Sequence, residues 1–279
     1  MNKTNISLSR NELLPQYDTF LVTKEYKRFT EFCKACMEDR YIGICHGKPG
    51  IGKTKSARQF SEWDIYLQYV QRKKRLSSEQ LAILAQCQTF FYTAPVLASP
   101  KKTRTQVIQG MIEFADCIRE VRKQLGLSAD KMVLNYCKMV IVDEADRLKM
   151  TTLEELRDLY DRANIGLIFI GMAGIEKRLS RYPQLYSRIG FAHEFRILNT
   201  QQALPVVEYY WKETGIAIAP TQKECSAAIA AIIRVTNGNF RLIQRLFKQI
   251  KRVLKINKLN QITEEVVETA KDCLVIGTA

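Results

Sequence analysis

The chain reads as an α/β protein, a five-stranded, mostly parallel sheet held between helices, with a small all-helical unit after it. Three observations predict this. Short apolar runs rich in β-branched and aromatic residues alternate with stretches of helical period as far as Ile197. A glycine-rich segment, Gly47 to Thr54, joins the first of these runs to the start of a helix. From Asn199 onward the strand signal stops while helical spacing continues, so the last part of the chain has no sheet to lie on.

Taken in order, residues 1–25 contain Leu13-Leu14-Pro15 and Tyr17 without a sustained period, and are expected to form an arm that partly packs on the body. From Glu25 to Met37, Tyr26, Phe29, Phe32, Cys33 and Cys36 recur at helical spacing. Tyr41 to Cys45 is a short buried strand, and Lys55 to Phe60 begins the helix beyond the glycine-rich segment. Lys73-Lys74-Arg75 marks a polar connection, and Gln88 to Thr93 has the aromatic, β-branched character of a second strand. Ala98 to Thr105 reads as a basic turn opening a helix from Gln106 to Leu125. Met139 to Val142 is a third strand, Leu167 to Ile170 a fourth flanked by Gly166 and Gly171, and Ala192 to Ile197 a fifth. Strands separated by helical segments need crossover connections, which makes the sheet mostly parallel and covered on both faces. Helical segments follow around 203–214, 222–235, 239–256 and 263–274. The expected division is an arm (1–25), an α/β core (26–198) and a helical domain (199–279).

A chain of 279 residues, 46% apolar, has enough material for one large α/β domain and a smaller one. No apolar run approaches the roughly 18 residues that span a bilayer, and Met1-Asn2-Lys3-Thr4-Asn5 lacks a signal peptide's apolar stretch. The expectation is a cytoplasmic protein with no membrane partner. The eight cysteines are scattered through a chain that needs no staples, which points to reduced thiols. Cys33 and Cys36 form a lone C-x-x-C within a helical stretch, where i and i+3 simply share a face, so zinc is not expected. The formal net charge of +14 is more than a small-ligand site requires and suits a polyanionic partner, nucleic acid first.

Gly47-Lys48-Pro49-Gly50-Ile51-Gly52-Lys53-Thr54 fits the phosphate-binding P-loop pattern. Its glycines let successive N–H groups turn toward phosphate oxygens, with the positive end of the next helix behind them. Lys53 is expected on the β- and γ-phosphates and the Thr54 hydroxyl on Mg²⁺. The third strand ends in Asp143-Glu144-Ala145-Asp146. Asp143 would complete the metal site and Glu144 would orient and polarise an attacking water. ATP and Mg²⁺ are therefore the expected cofactors, and the acidic pair points to hydrolysis as well as binding.

A P-loop core followed by a helical lid resembles the AAA+ ATPases. That resemblance implies a lid arginine reaching the phosphates from the start of a helix, which Asn237-Gly238-Asn239-Phe240-Arg241-Leu242 supplies as Arg241. It also implies an arginine finger, acting in a neighbouring subunit, just before the fifth strand. In Arg181 to Gly190 the first choice is Arg188 and the second Arg181. The family commonly ends its fourth strand with a polar sensor of the γ-phosphate, but here Gly171 is followed by Met172 and Ala173. Slow hydrolysis, or hydrolysis waiting on a partner, is the expectation.

Within AAA+ the chain looks most like the transposition regulators TniB, TnsC and MuB, through Val142 to Lys149, Gly171 to Leu179 and Tyr186 to Phe191, with a resemblance covering roughly residues 25–250. It implies self-association with ATP on double-stranded DNA as a hexamer-like ring or helical filament. Such an assembly marks a target and recruits a transposase, alongside target-selection proteins, until hydrolysis disassembles it. Expected DNA contacts are Lys101, Lys102, Thr103 and Arg104 in the basic turn, with Lys149 beside them. The basic lid residues Arg234, Arg245, Lys248, Lys251, Arg252, Lys255 and Lys258 suit DNA, an acidic partner or plain solvent equally. Tyr17, Phe20 and Val22 are candidate walls for adenine. A helicase loader or replication initiator is the alternative enzyme, and a non-hydrolysing ATP-dependent scaffold the alternative of another class. A DEAD-box helicase would need a second large domain for which there is no room after the fourth strand.

Overall fold

The computed structural model describes residues 20–71, 75–97, 99–130, 132–217 and 223–274. Tyr17, most of the expected arm and Lys73-Lys74 lie outside them. The elements run α1 (Lys24–Glu38), β1 (Ile42–His46), α2 (Lys53–Phe60), α3 (Trp63–Gln71), α4 (Ser78–Leu84), β2 (Thr89–Thr93) and α5 (Pro100–Gln124). The sheet continues with β3 (Met139–Asp143), α6 (Met150–Ala163), β4 (Gly166–Gly171), α7 (Ile175–Leu179), α8 (Pro183–Tyr186) and β5 (Ile189–Glu194). Four lid helices follow: α9 (Thr200–Lys212), α10 (Lys223–Thr236), α11 (Phe240–Asn257) and α12 (Glu264–Asp272).

The five strands pair in the order β2-β3-β4-β1-β5, all parallel. Each apolar run is shared between two layers by the period-2 alternation of a strand. Ile42, Ile44, Val140, Val142, Leu167 and Phe169 face one core, with Phe114 and Ile118 of α5 and Leu153 and Leu156 of α6. Cys45, Met139, Ile141, Ile168 and Ile170 face the other, with Phe29, Phe32, Cys33 and Cys36 of α1. That is where the C-x-x-C goes: both thiols are fully buried, and burial pushes that of Cys36 up to about 12. A third cluster lies wholly in the lid, around Trp211, Phe247, Ile243, Ile250 and Val267.

Two expectations about boundaries are corrected. The fifth strand begins at Ile189, not Ala192, because the Arg188 carbonyl accepts from Ile42 N–H and starts the pairing with β1 early. Phe195 then bonds the His46 carbonyl at 2.8 Å and leaves the sheet to cover the glycine-rich loop. The basic turn at 98–105 is mostly helix. Ser99 caps α5 by accepting from Lys102 N–H, and Pro100 occupies the first turn, where a missing N–H costs nothing. Among the described residues no helix is long and apolar enough to cross a membrane.

Phe114 anchors α5 on the sheet, its ring 5.2 Å from Tyr66 and 6.2 Å from Phe90. Phe114→Ala should cost about 3–5 kcal/mol in urea denaturation; a change below about 1 kcal/mol would mean that α5 is not packed as described.

Candidate functional site

In this strand order β4 stands between the strand feeding the P-loop and the strand carrying Asp143, so three strand ends converge on one place. Gly50 and Gly52 take φ of +78° and +111°, and Gly52 opens α2 with no side-chain cap, leaving its first N–H groups free for an anion. Lys53 folds back over the loop, donating from Nζ to the carbonyls of Gly47 (2.6 Å) and Lys48 (2.8 Å). Burial lowers its pKa, opposed by the negative groups around it, Asp143, Asp146 and Glu144 among them.

Asp143 is almost fully buried, with the Thr54 hydroxyl beside its carboxylate. Burial raises its pKa first and the Glu144 charge adds to this, while the Thr54 hydroxyl, the Glu144 N–H and Lys53 pull the other way. A buried carboxylate with an incomplete set of positive partners, touching a hydroxyl beside the P-loop lysine, is a donor set that fits a hard divalent cation. Thr54 and Asp143 are the residues that would hold it.

Glu144 sits in the left-handed region at φ 56°, a conformation uncommon for a residue with a Cβ. Its carboxylate lies 3.5 Å from Arg147, whose other nitrogen donates to the Ala94 carbonyl at 2.9 Å. The turn behind it is pinned by Arg178, which donates to the carbonyls of Asp146 and Leu148. Where a polar sensor is missing, the Met172 N–H donates to Asp146 Oδ2 at 2.7 Å, and His46 Nδ1 lies 3.6 Å from Glu176. Both contacts bring acceptor carboxylates to this strand end, and neither supplies the hydrogen-bond donor that the Met172 side chain lacks.

The lid reaches the loop directly. Asn239 Nδ2 donates to the Pro49 carbonyl at 2.9 Å, and Arg241 N–H donates to the Gly50 carbonyl at 3.0 Å. Asn239 Oδ1 meanwhile accepts from Arg241 and Leu242 N–H and caps α11. Arg241 is exposed and its side chain starts against the P-loop. Gly238, at φ 67°, brings this turn so close to Leu198 that a Cβ there would lie 2.0 Å from the Leu198 carbonyl oxygen.

Arg188 is elsewhere. Its carbonyl bonds to Ile42, the first residue of β1, about 13 Å along the strand from His46 where the P-loop begins. Its guanidinium pairs with Asp161 of α6 at 3.0 Å and donates to the Gln184 carbonyl. Arg181 is exposed in the segment between α7 and α8. Phe20 packs edge-to-face on Tyr26, Leu21 lies on the lid cluster and Val22 is exposed.

Two of the residues expected to touch DNA do not fit that role. Thr103 is fully buried because the fourth residue of α5 faces the core, and Arg104 is neutralised by Glu155 and Asp158 of α6 at 3.0 and 2.7 Å. Lys101 and Lys102 are exposed in the first turn of α5, which contains no acid, and Lys149 is exposed at the start of α6.

A profile of the AAA domain family matches residues 36–179. A Staphylococcus aureus protein described as a potential ATP-binding protein is 46% identical over 267 residues, 92% of this chain and 97% of its own. The ATP-dependent target DNA activator B of Escherichia phage Mu is 23% identical over 248 residues, 82% of this chain and 67% of that protein. Among solved structures, the RuvB Holliday junction branch migration motor of Thermotoga maritima superposes with a TM-score of 0.57 at 18% identity, over 91% of this chain and 70% of its own. That likeness shows the fold.

Two outcomes test the site. In Gly50→Ala the new Cβ would lie 2.7 Å from Asn239 Oδ1 and 2.9 Å from Arg241 Cβ, at a positive φ. ATP affinity measured by calorimetry should fall about tenfold or more; wild-type affinity would refute the lid contact. For Asp143 the folded pKa lies above the ordinary value, so its contribution to stability is present at low pH and lost as pH rises through the folded value. Asp143→Asn should therefore raise the melting temperature of the nucleotide-free protein at pH 7 while abolishing magnesium-dependent ATP binding. A lowered melting temperature would contradict the assigned cause.

Proposed function

The chain belongs to the AAA domain family and is a distant relative of the phage Mu target DNA activator, and on that footing we propose that it is an ATP-dependent, DNA-bound regulator of transposition. In this reading, subunits assemble with ATP and Mg²⁺ on double-stranded DNA as a ring or helical filament, mark a target, and recruit and stimulate a transposase. Slow hydrolysis then releases the assembly.

The observation that carries the assembly is the position of Arg188. It lies at the opposite end of β1 from the P-loop, farther than an arginine side chain reaches, so it cannot serve its own nucleotide. A planar, permanently charged donor on a subunit's far edge completes a site only across an interface. Arg188 is the finger in this proposal, released from Asp161 when a neighbour's nucleotide takes its place; Arg181 is the second choice.

Within the subunit, Gly47 to Thr54 cradle the phosphates, with Lys53 moving from the loop carbonyls to phosphate oxygens. Thr54 and Asp143 hold the magnesium ion, which screens phosphate charge and fixes the geometry of the triphosphate. Glu144 positions the attacking water, and its ion pair with Arg147 must open for it to do so. Arg241 contacts the phosphates from the lid. The resting Glu144–Arg147 pair, with Met172 in place of a polar sensor, supports slow turnover used as a timer. Lys101, Lys102 and Lys149 remain proposed DNA contacts.

Mixing two inactive variants tests the reading. Arg188→Ala and Glu144→Gln should each lower the DNA-stimulated ATPase rate by about 10³-fold. Combined, they should recover a measurable fraction of it, since an Arg188→Ala subunit keeps Glu144 and its neighbour supplies Arg188. No recovery, with both variants still binding ATP, would overturn the shared site. No hydrolysis by the wild type above the Glu144→Gln rate would favour the ATP-dependent scaffold.

A further inference from the structure

α11 is the most one-sided helix of the lid. Ile243, Leu246, Phe247, Ile250 and Leu254 are buried in the lid core, and the helix contains no Asp or Glu. On its outer face Arg245, Lys248, Arg252 and Lys255 follow one another at intervals of three, four and three residues, which places them in one line about 15 Å long. All four are exposed, and among the described residues none of them has an ion pair. Three other lid cations are neutralised, Arg234 by Glu264 and Glu268, Lys271 by Glu268, and Lys251 by Glu213.

We infer that this line of Arg245, Lys248, Arg252 and Lys255 is a track for the phosphate backbone of duplex DNA, and that it is the lid's contribution to DNA binding. The inference rests on the DNA-binding reading above and assigns it a surface. Like charges at three- and four-residue spacing repel each other, so an unpaired row of four is unfavourable in the free protein and is relieved by a polyanion. Phosphates recur along the whole length of a duplex, so a straight row of closely spaced cations can meet several of them at once. Two of the four are arginines, which hold phosphate through paired N–H groups. The row reads no bases, so its contacts are indifferent to sequence. The basic turn at the start of α5 is the weaker surface, because Thr103 is buried and Arg104 is spent on Glu155 and Asp158.

The same helix begins on the P-loop, through Asn239 and Arg241. A nucleotide that alters this contact reorients the track, which makes DNA affinity along it nucleotide-dependent.

The test compares Arg245→Gln/Lys248→Gln/Arg252→Gln/Lys255→Gln with a control of equal charge change away from the lid, Lys27→Gln/Lys34→Gln/Lys123→Gln/Lys138→Gln. Binding of a short duplex of arbitrary sequence is measured by fluorescence anisotropy over a series of salt concentrations with a slowly hydrolysed ATP analogue, and polyglutamate is measured in parallel. The track variant should bind DNA about tenfold or more weakly, with its log–log salt slope reduced by about 3 to 4, while the control stays close to wild type. Unchanged ATP binding shows that the lid is intact; Arg252→Gln/Lys255→Gln, expected to lose about half the slope change, replaces the quadruple variant if it misfolds. Wild-type DNA binding by the track variant, equal losses in both variants, or a loss confined to polyglutamate each overturns the track. A wild-type protein that does not bind duplex DNA overturns the broader reading instead.

Discussion

Two hydrogen bonds between backbone and lid hold the nucleotide site in its shape: Asn239 to the Pro49 carbonyl and Arg241 N–H to the Gly50 carbonyl. Without them the P-loop is held by Lys53, by buried Ile51 and by Phe195 on the core side alone, with nothing fixing it to the lid. The closeness they require explains why both partners are built without side chains at the contact. Gly50 meets Asn239 and Arg241, and Gly238 meets the Leu198 carbonyl, so neither site has room for a Cβ. Asn239 serves on both sides at once, its oxygen starting α11 and its nitrogen holding the loop.

The sheet order divides the remaining work between two ends of the molecule. Because every strand runs the same way, the P-loop, Asp143 and Met172 all leave from one end of the sheet, and Arg188 enters at the other. One end thus collects the groups suited to a triphosphate and a metal. The other keeps an arginine paired with Asp161. In the proposed assembly, this separation would set apart what one chain does alone from what it does beside a copy of itself.

The strands, the P-loop and the acidic pair were legible in the sequence because each has a local signature: an apolar run, fixed glycines, charge at a strand end. The lid helices were legible for the same reason, in their periods. What escaped was whatever depends on partners distant in the chain. Arg104 looks like any basic residue until α6 brings Glu155 and Asp158 to it, and Thr103 looks polar until its position on α5 turns it inward. Asp146 stood in plain sight three residues after Asp143, but its bond to Met172 N–H crosses from β3 to β4. Arg147 and Arg178 carry no local signature of their own, yet in the structure they brace the turn behind Glu144. No periodicity announces the bond of Asn239 to Pro49.

α11 is 18 residues long and fastened at its first turn to the P-loop. In the proposed reading it would act, with the lid core packed on it, as a lever roughly 27 Å long pivoting at the P-loop. A tilt of about 5° at the pinned end, small enough to come from rearranging two hydrogen bonds, swings the far end by roughly 2 Å. In that reading, a change the size of one terminal phosphate would be magnified into a displacement that a rigid partner lying along the helix would register.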